Sequence, residues 1–204
     1  MNALPEIAIL GLYNSGSTAL AGALHRLGVH MGAPFWYSSD ERAKNNFYEP
    51  WDLACQLRVW WNEPDIRENT PRPIRIACLD SWVRLRQCYS QAAVGAKHPL
   101  LCLCGDDLVT AWGADAIFLR AYRPLEESIE RLRARHWFAG REEPLQRRLW
   151  EALEDFCAGQ PHLVIDYRRL RSDPAAVLRE IADYARLQPA ASQWTAAEVF
   201  IDRV

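Results

Sequence analysis

The stretch that decides the fold runs from residue 7 to residue 18 and reads I-A-I-L-G-L-Y-N-S-G-S-T. A short apolar run, typical of a buried strand, leads into G-x-x-x-x-G-S-T, the phosphate-binding Walker pattern with Ser17 in place of its lysine. Backbone N–H groups in such a loop, together with the positive end of the next helix dipole, can bind an anionic group whatever the side chains are. The residues that we expect to hold a phosphate ligand are Asn14, Ser15, Gly16, Ser17 and Thr18.

The missing lysine limits the chemistry that the loop supports. A kinase or ATPase uses that lysine, with Mg²⁺ on the next hydroxyl, to neutralise charge on a transferring γ-phosphoryl group. The loop therefore suits a phosphate ligand but suits ATP cleavage poorly. Lysine is also rare elsewhere, since only Lys44 and Lys97 are lysines among 24 cationic residues. Lys97 is accordingly worth considering as a functional cation.

Length and composition narrow the function classes. A chain of 204 residues, half of them hydrophobic, is expected to form one domain over 1–204. The net charge of −2 and the pI near 6.2 give no electrostatic support for nucleic-acid binding. Because the sequence has no apolar run of eighteen residues and no leader-like start, we expect a cytoplasmic protein without a membrane partner. The six cysteines lack zinc-site spacing, which predicts reduced core residues and no metal site.

Strand and helix patterns alternate along the chain. After the loop, Leu20, Leu24 and Leu27 recur at helical spacing, and Gly28 is suited to end that helix. Further helices are expected over 51–61, 80–92, 124–135, 143–157 and 174–186, with strands over 94–96, 116–119 and 162–165. The prolines at 71 and 73 are interpreted as a break, and 29–50 as mainly loop. This alternation predicts an α/β, three-layer P-loop nucleotide-binding fold with a central parallel sheet flanked by helices.

Arginines follow the predicted strand over 116–119. An arginine just past a buried strand, with proline opening the next helix, points into the crevice where doubly wound sheets bind ligands, which makes Arg123 a candidate phosphate ligand. The alternative is a charged helix face exposed to solvent. We prefer that alternative for Arg131, Arg133 and Arg135.

Three polar residues are candidates for proton transfer and charge stabilisation. His98 follows a predicted strand and could accept a proton from a hydroxyl nucleophile, while Lys97 could stabilise charge on a leaving group. Glu49, before a proline in the long loop, could act as a second base or hold a substrate hydroxyl. The structural alternatives are a core histidine and a surface carboxylate near the start of a helix. The tryptophans that could wall an acceptor pocket are Trp36, Trp51 and Trp137.

Several segments together resemble the sulfotransferases that use 3′-phosphoadenosine 5′-phosphosulfate, especially the compact bacterial members. They are G-L-Y-N-S-G-S-T at 11–18, L-G-V-H-M-G at 27–32, N-F-Y-E at 46–49, K-H-P at 97–99 and R-P-L-E-E at 123–127. The segment V-I-D-Y-R-R-L at 164–170, followed by D-P at 173–174, completes the order. Each motif alone is weak, whereas their shared order over almost the whole chain is fairly specific.

The resemblance implies in-line transfer of a sulfuryl group from 3′-phosphoadenosine 5′-phosphosulfate to a hydroxyl or amine of a small-molecule or glycan acceptor, without a catalytic metal. It implies that the loop amides hold the 5′-phosphosulfate and that Arg123 holds the 3′-phosphate, with Ser128 as a possible further donor. Either His98 or Glu49 would deprotonate the acceptor, and Lys97 would stabilise the bridging oxygen.

Departures from the family pattern leave alternatives open. Asn14 stands where the family has a basic residue, so that charge must come from elsewhere, with Lys97 as the candidate. In the family, a serine that binds the 3′-phosphate follows the arginine by eight residues. Counted from Arg120 this position is Ser128, whereas counted from Arg123 it is Arg131, so the choice between the two arginines stays open, with Arg123 preferred. A nucleotide or small-molecule kinase with a degenerate loop, or a catalytically inactive nucleotide-binding protein, remains the alternative function. The acceptor and the oligomeric state are not defined by the sequence.

Overall fold

The computed structural model describes residues 5–36 and 47–203 and forms one parallel sheet with helices on both faces. The strands in these residues are β1 (Glu6–Leu10), β2 (Val94–Lys97), β3 (Ile117–Tyr122) and β4 (Leu163–Asp166). The helices are α1 (Ser17–Arg26), α2 (Trp51–Trp61), α3 (Arg72–Tyr89), α4 (Gly105–Trp112), α5 (Leu125–Arg133), α6 (Glu142–Gly159), α7 (Tyr167–Ser172), α8 (Pro174–Tyr184) and α9 (Ala191–Arg203). A 3₁₀-helix covers Pro99–Cys104.

The sheet has the strand order β2-β1-β3-β4, and every pair is parallel. Since parallel strands all point the same way, the loops that follow β1, β2 and β3 leave from one edge. The register places Ile9 beside both Lys97 and Leu119. The phosphate-binding loop, Lys97 and the segment after β3 therefore lie next to one another, which is the arrangement that a ligand crevice in a parallel sheet requires.

Alternation along β1 divides the hydrophobic core into two layers. Ile7 and Ile9 pack on one face with α1, α8 and α9, whereas Ala8 and Leu10 pack on the other face with α2, α3, α4 and α6. Successive side chains of a strand point to opposite faces, so a strand that is apolar at every position is buried on both. The predicted three-layer α/β fold is confirmed.

The structure corrects the predicted start of α3. The segment interpreted as a break at the prolines is instead the start of the helix, which begins at Arg72 rather than at residue 80. Pro71 occupies the N-cap position and Pro73 lies in the first turn. Proline is tolerated there because the first-turn N–H groups have no intrahelical acceptor, and its fixed φ already suits the helix.

The cysteines only partly match the prediction of reduced core residues. All six have free thiols, and burial raises the pKa of Cys102 and of Cys104 to about 12. Cys88, in contrast, is exposed near the end of α3. That position lies on the helix face turned away from the sheet, so the core assignment was wrong for Cys88.

Helix α9 was not predicted, and its docking depends on a close approach to α1. A Cβ atom at Gly22 of α1 would overlap the ring of Phe200 on α9 and come within 2.8 Å of Tyr48. Glycine is therefore required at this crossing for steric reasons.

We predict that Gly22→Ala lowers the free energy of unfolding by about 1–3 kcal/mol, because overpacking forces Phe200 out of its site. Urea denaturation followed by circular dichroism measures this change. The matched control is Gly159→Ala at the end of α6, where nothing lies within 4 Å of the added Cβ and the change should stay within about 1 kcal/mol. Equal midpoints for the two variants would contradict the proposed packing.

Candidate functional site

A cavity of about 630 Å³ opens at the carboxyl edge of the sheet, where the loops after β1, β2 and β3 meet. Its lining includes Asn14, Gly16, Ser17 and Thr18 of the phosphate-binding loop. A second part of the lining consists of acidic and aromatic side chains, among them Glu63, Tyr13, Trp137 and Phe138. The lining thus has two chemically different parts, which we call the loop end and the carboxylate end.

The backbone of the loop turns sharply before α1. Asn14 (φ 60°) and Gly16 (φ 96°) both adopt the left-handed conformation. No described side chain caps α1, so the amides of its first turn keep their hydrogen-bonding capacity. A Cβ at Gly16 would overlap the ring of Tyr167, which packs over the loop and also lines the cavity. The loop therefore has the form of an anion-binding turn.

Lys97 and Glu49 form a buried ion pair beside the loop. The Lys97 Nζ lies 2.5 Å from Glu49 Oε1 and 3.3 Å from Thr18 Oγ1. Burial is the largest single influence and by itself raises the pKa of Glu49, but the charge and hydrogen bond of Lys97, together with His98 and Arg58, hold the pKa below its ordinary value. The ion pair places a cation against a loop whose own lysine is replaced by Ser17, and it leaves a charged carboxylate facing the cavity.

His98 lies behind this ion pair and is fully buried. Its Nδ1 accepts a hydrogen bond of 3.1 Å from the Leu100 N–H and so caps the 3₁₀-helix, which leaves the ring proton on Nε2. The Nε2 lies 3.9 Å from Glu49 Oε2, too far for a hydrogen bond, and no described residue is a partner for it. Burial lowers the pKa of His98 to about 4, so the ring is neutral at pH 7.

Two arginines of the β3 segment point in different directions. Arg120 lies within β3 and pairs with Glu154 of α6, whereas Arg123 follows the strand and lines the cavity. The Arg123 guanidinium stacks over the Tyr167 ring at 4.2 Å and lies 3.6 Å from Glu127. Of the two candidates, Arg123 is therefore the one that faces the loop end.

The remaining predicted phosphate ligands lie beneath the cavity surface. Ser15 and Ser128 are buried, and neither hydroxyl has a hydrogen-bond partner among the described residues. The Ser128 carbonyl accepts from Gln146 Nε2, and the same amide donates to the carbonyl of Tyr13 and accepts from its N–H. Gln146 of α6 thereby ties the loop to α5, a role for which the sequence offers no signal beyond a glutamine in a helix.

The arginines of α5 differ from the sequence interpretation. Arg133 is exposed and pairs with Glu143, as expected for a solvated helix face. Arg131 and Arg135, however, line the cavity, and the Arg135 guanidinium, just past α5, lies 5.2 Å from the centre of the Trp137 ring. Arg131 also makes the expected pair with Glu127 at 3.2 Å. The cavity therefore has more positive charge in its lining than the sequence interpretation assigned to it.

The carboxylate end contains two residues that the sequence analysis missed, Glu63 and Arg58. Arg58 Nε lies 2.9 Å from Glu63 Oε2, and the Tyr13 hydroxyl donates to Glu63 Oε1. Burial raises the pKa of Glu63, although Tyr13 and Arg58 oppose the shift, and burial and Glu63 together raise the pKa of Tyr13. Glu63 lies beyond the end of α2 in a segment without any recognisable motif.

Aromatic side chains form the walls of the carboxylate end. Tyr13 and Phe138 meet edge to face with ring centroids 5.2 Å apart, and Phe47 and Trp137 do so at 6.0 Å. Trp137 thus lies where it was predicted. Trp36 and Trp51, in contrast, stack on each other at 4.3 Å and are not part of the lining.

Asn46, the first residue of the N-F-Y-E segment at 46–49, lies outside the described residues. Across 5–36 and 47–203, no group of three or more His, Cys, Asp or Glu side chains is arranged to hold a metal ion. In the same residues, no helix combines the length and the apolar character needed to cross a membrane.

Comparison with solved structures identifies the fold. The chain resembles the sulfotransferase domain of the Synechococcus PCC 7002 olefin synthase at 20% identity, with a TM-score of 0.56 over 94% of this chain and 76% of that one. It resembles sulfotransferase STF1 of Mycobacterium tuberculosis at 16% identity, with a TM-score of 0.59 over 95% and 70%. A sugar kinase of Janibacter sp. HTCC2649 is similar at 15% identity, with a TM-score of 0.53 over 92% and 97%.

The chain therefore has the α/β fold of the bacterial sulfotransferases, with a parallel sheet flanked by helices. No protein-family model matches the sequence, and a search among curated proteins found no match. At these identities the likeness concerns the fold, so the chemistry must be argued from the residues themselves.

We predict that His98 makes stability depend on pH. The unfolded chain protonates this histidine near pH 6.5, but the native state does so only near pH 4, so the unfolded state binds more protons in that window and stability falls as the pH falls. His98→Asn keeps an acceptor for the Leu100 N–H but does not titrate. The free energy of unfolding of the wild type, relative to that of this variant, should fall by about 2 kcal/mol between pH 7 and pH 5.

Urea unfolding at the two pH values measures this difference. A pH dependence that is identical in the wild type and in His98→Asn would show that the histidine is not held neutral.

Proposed function

We propose that this chain is a sulfotransferase that moves a sulfuryl group from 3′-phosphoadenosine 5′-phosphosulfate to a hydroxyl or amine of a small-molecule or glycan acceptor. The observation that carries the proposal is the position of Lys97. Its ammonium comes from the neighbouring strand and lies against Thr18 of a phosphate-binding loop that lacks the Walker lysine. A cation held there can bind a 5′-phosphosulfate without the Mg²⁺ arrangement that γ-phosphoryl transfer uses.

The residues of the loop end fit the charge of that donor. Arg123 and Arg131 line the same cavity as the phosphate-binding loop, and bidentate arginines are well suited to phosphate groups. Three buried polar groups in or near the loop have no hydrogen-bond partner among the described residues. They are the side-chain amide nitrogen of Asn14 and the hydroxyls of Ser15 and Ser128. In this proposal the loop amides hold the 5′-phosphosulfate and Arg123 holds the 3′-phosphate, with Ser128 as a further donor after side-chain rotation.

Glu49 is the general base of the proposed reaction. It is charged, it faces the cavity, and its second oxygen is not engaged by Lys97. His98 is the weaker candidate because its Nδ1 lone pair is bound to the Leu100 N–H and its Nε2 carries the proton. We therefore assign His98 a positioning role behind Glu49.

Each residue has a defined part in the transfer. The donor supplies an electrophilic sulfuryl group joined to its 5′-phosphate. Glu49 takes the proton of the acceptor hydroxyl as the acceptor oxygen forms its bond to sulfur and the bond from sulfur to the phosphate oxygen breaks. Lys97 and the loop amides stabilise the negative charge that this leaves on the phosphate, which is the electrostatic contribution expected of preorganised donors.

A kinase is the second candidate, since the sugar kinase from Janibacter covers nearly the same length with a TM-score of 0.53. Ser17 in place of the Walker lysine argues against it. A catalytically inactive nucleotide-binding protein is the third candidate, because Asn14 replaces a basic residue of the sulfotransferase pattern. The three differ in ligand preference and in turnover.

We predict that the protein binds 3′-phosphoadenosine 5′-phosphate more tightly than ATP with Mg²⁺ in calorimetric titrations. Arg123→Ala should weaken binding of the bisphosphate by roughly 1.5–3 kcal/mol, since charge-assisted hydrogen bonds to a phosphate are lost. Arg133→Ala, at an exposed arginine outside the cavity, is the matched control and should change the affinity little. Preference for ATP with Mg²⁺ would favour the kinase, and unchanged affinity in Arg123→Ala would reject the assignment of Arg123.

We predict that Glu49→Gln lowers sulfate transfer by about 10²-fold or more, because the amide cannot accept the acceptor proton. Bisphosphate affinity and the melting temperature of the variant are measured alongside, to separate lost catalysis from the effect of leaving Lys97 without its carboxylate. His98→Asn should reduce turnover by much less. If His98→Asn proves the more damaging substitution, the histidine is the base and the roles are reversed. Bisphosphate binding without transfer to any acceptor would favour the inactive nucleotide-binding protein.

A further inference from the structure

The carboxylate end of the cavity has a hydrogen-bonding pattern that selects for a particular ligand group. Glu63 receives the Tyr13 hydroxyl on one oxygen and faces Arg58 across 2.9 Å on the other. A carboxylate has about four acceptor positions, so each oxygen can still accept one hydrogen bond. Because the carboxylate is the acceptor in both of these contacts, a ligand group that approaches it must donate.

Glu63 lies where a ligand could use its free hydrogen-bond acceptor positions. Its side chain is about 8% exposed, yet it lines the cavity that also contains Glu49. The charge of Glu49 contributes to the raised pKa of both Glu63 and Tyr13, so the three groups are close enough to interact. A buried carboxylate that is only partly satisfied gains more from one further donor than a solvated carboxylate would.

The walls around Glu63 favour a ring. Tyr13, Phe47, Trp137 and Phe138 form two edge-to-face pairs in the same lining. Aromatic faces carry negative charge density and attract the positive edges of other rings or the C–H groups of a saturated ring.

From these contacts we infer that the acceptor is a ring bearing two neighbouring hydroxyl groups, of which Glu49 faces the one that is sulfated and Glu63 accepts a hydrogen bond from the other. This inference rests on the proposed function. A hydroxyl suits the subsite because it can donate to Glu63 and accept from Arg58. An ether oxygen in the same place would set its lone pairs against the carboxylate. Glu63 thereby becomes a specificity-determining residue that the sequence motifs do not include.

The test compares ligands that differ only in that second hydroxyl. Calorimetric titrations of the wild-type protein, saturated with 3′-phosphoadenosine 5′-phosphate, use catechol against 2-methoxyphenol and cyclohexane-1,2-diol against 2-methoxycyclohexanol. We expect the diol of at least one pair to bind about 10-fold or more tightly than its methyl ether. The pair that shows the larger ratio distinguishes an aromatic acceptor from a saturated, sugar-like one. Equal affinities within both pairs would overturn the inference, and this comparison requires no variant.

Glu63→Gln provides the second arm. Its amide N–H₂ can donate to an ether oxygen, so the preference for the diol should fall below about 3-fold while bisphosphate affinity stays unchanged. Glu126→Gln, at an exposed carboxylate outside the cavity, is the control and should keep the wild-type preference. A preference that survives in Glu63→Gln contradicts the role of Glu63.

The failure of this inference can be told apart from the failure of the proposed function. If the bisphosphate binds but no diol is preferred, the subsite assignment alone is wrong. If the bisphosphate does not bind, the donor proposal fails, and the same titrations on the protein without it still measure the preference of the subsite. A diol preference under those conditions supports the assignment of Glu63 by itself.

Discussion

Parallel pairing of β1 with a strand on each side is the constraint on which the rest of the structure depends. It directs the ends of β1, β2 and β3 to one edge of the sheet. Lys97, the loop that follows Leu10 and the segment that contains Arg123 therefore lie close together although they are far apart in the sequence. The two-sided core fixes this register, because a shift by one residue would move Ile7 and Ile9 to the face packed by Ala8 and Leu10. The geometry of the site follows from the packing of the sheet.

The Lys97–Glu49 pair shows how the fold supplies a charge that the loop lacks. Burying either group alone would carry a large desolvation cost, and the short contact between them offsets it. The consequence is a cation that belongs to β2 but acts at the loop after β1. Because Lys97 is held by a carboxylate and by Thr18, it has little freedom to adopt other positions before a ligand arrives. Preorganisation of this kind lowers the cost of binding and of stabilising a transition state.

The sequence predicted the fold, and local patterns also singled out the loop, Lys97 and Arg123, which the structure places around one cavity. Strand, turn and helix signals surround the loop, and the carboxyl end of a buried strand points to Arg123 without knowledge of tertiary contacts. The start of α3 was misplaced because proline can either break a helix or open one. Helix α9 was missed because it packs on α1 where Gly22 has no side chain, and a hydrophobic pattern in the sequence does not show such a contact. Gln146 was missed because its three hydrogen bonds join residues far apart in the chain.

The two ends of the cavity therefore differ in how much a single sequence can reveal about them. The main-chain amides and strand-end cations that would bind the proposed anion at the loop end are fixed by a short motif and by sheet topology. Glu63 and most of the aromatic walls come from segments that approach through packing and through the hydrogen bond from Tyr13 to Glu63, which are contacts between residues far apart in the chain. In the proposed function, donor binding would therefore depend on the most regular part of the fold. Acceptor choice would depend on the irregular segments around it, which can change without disturbing the sheet or the loop.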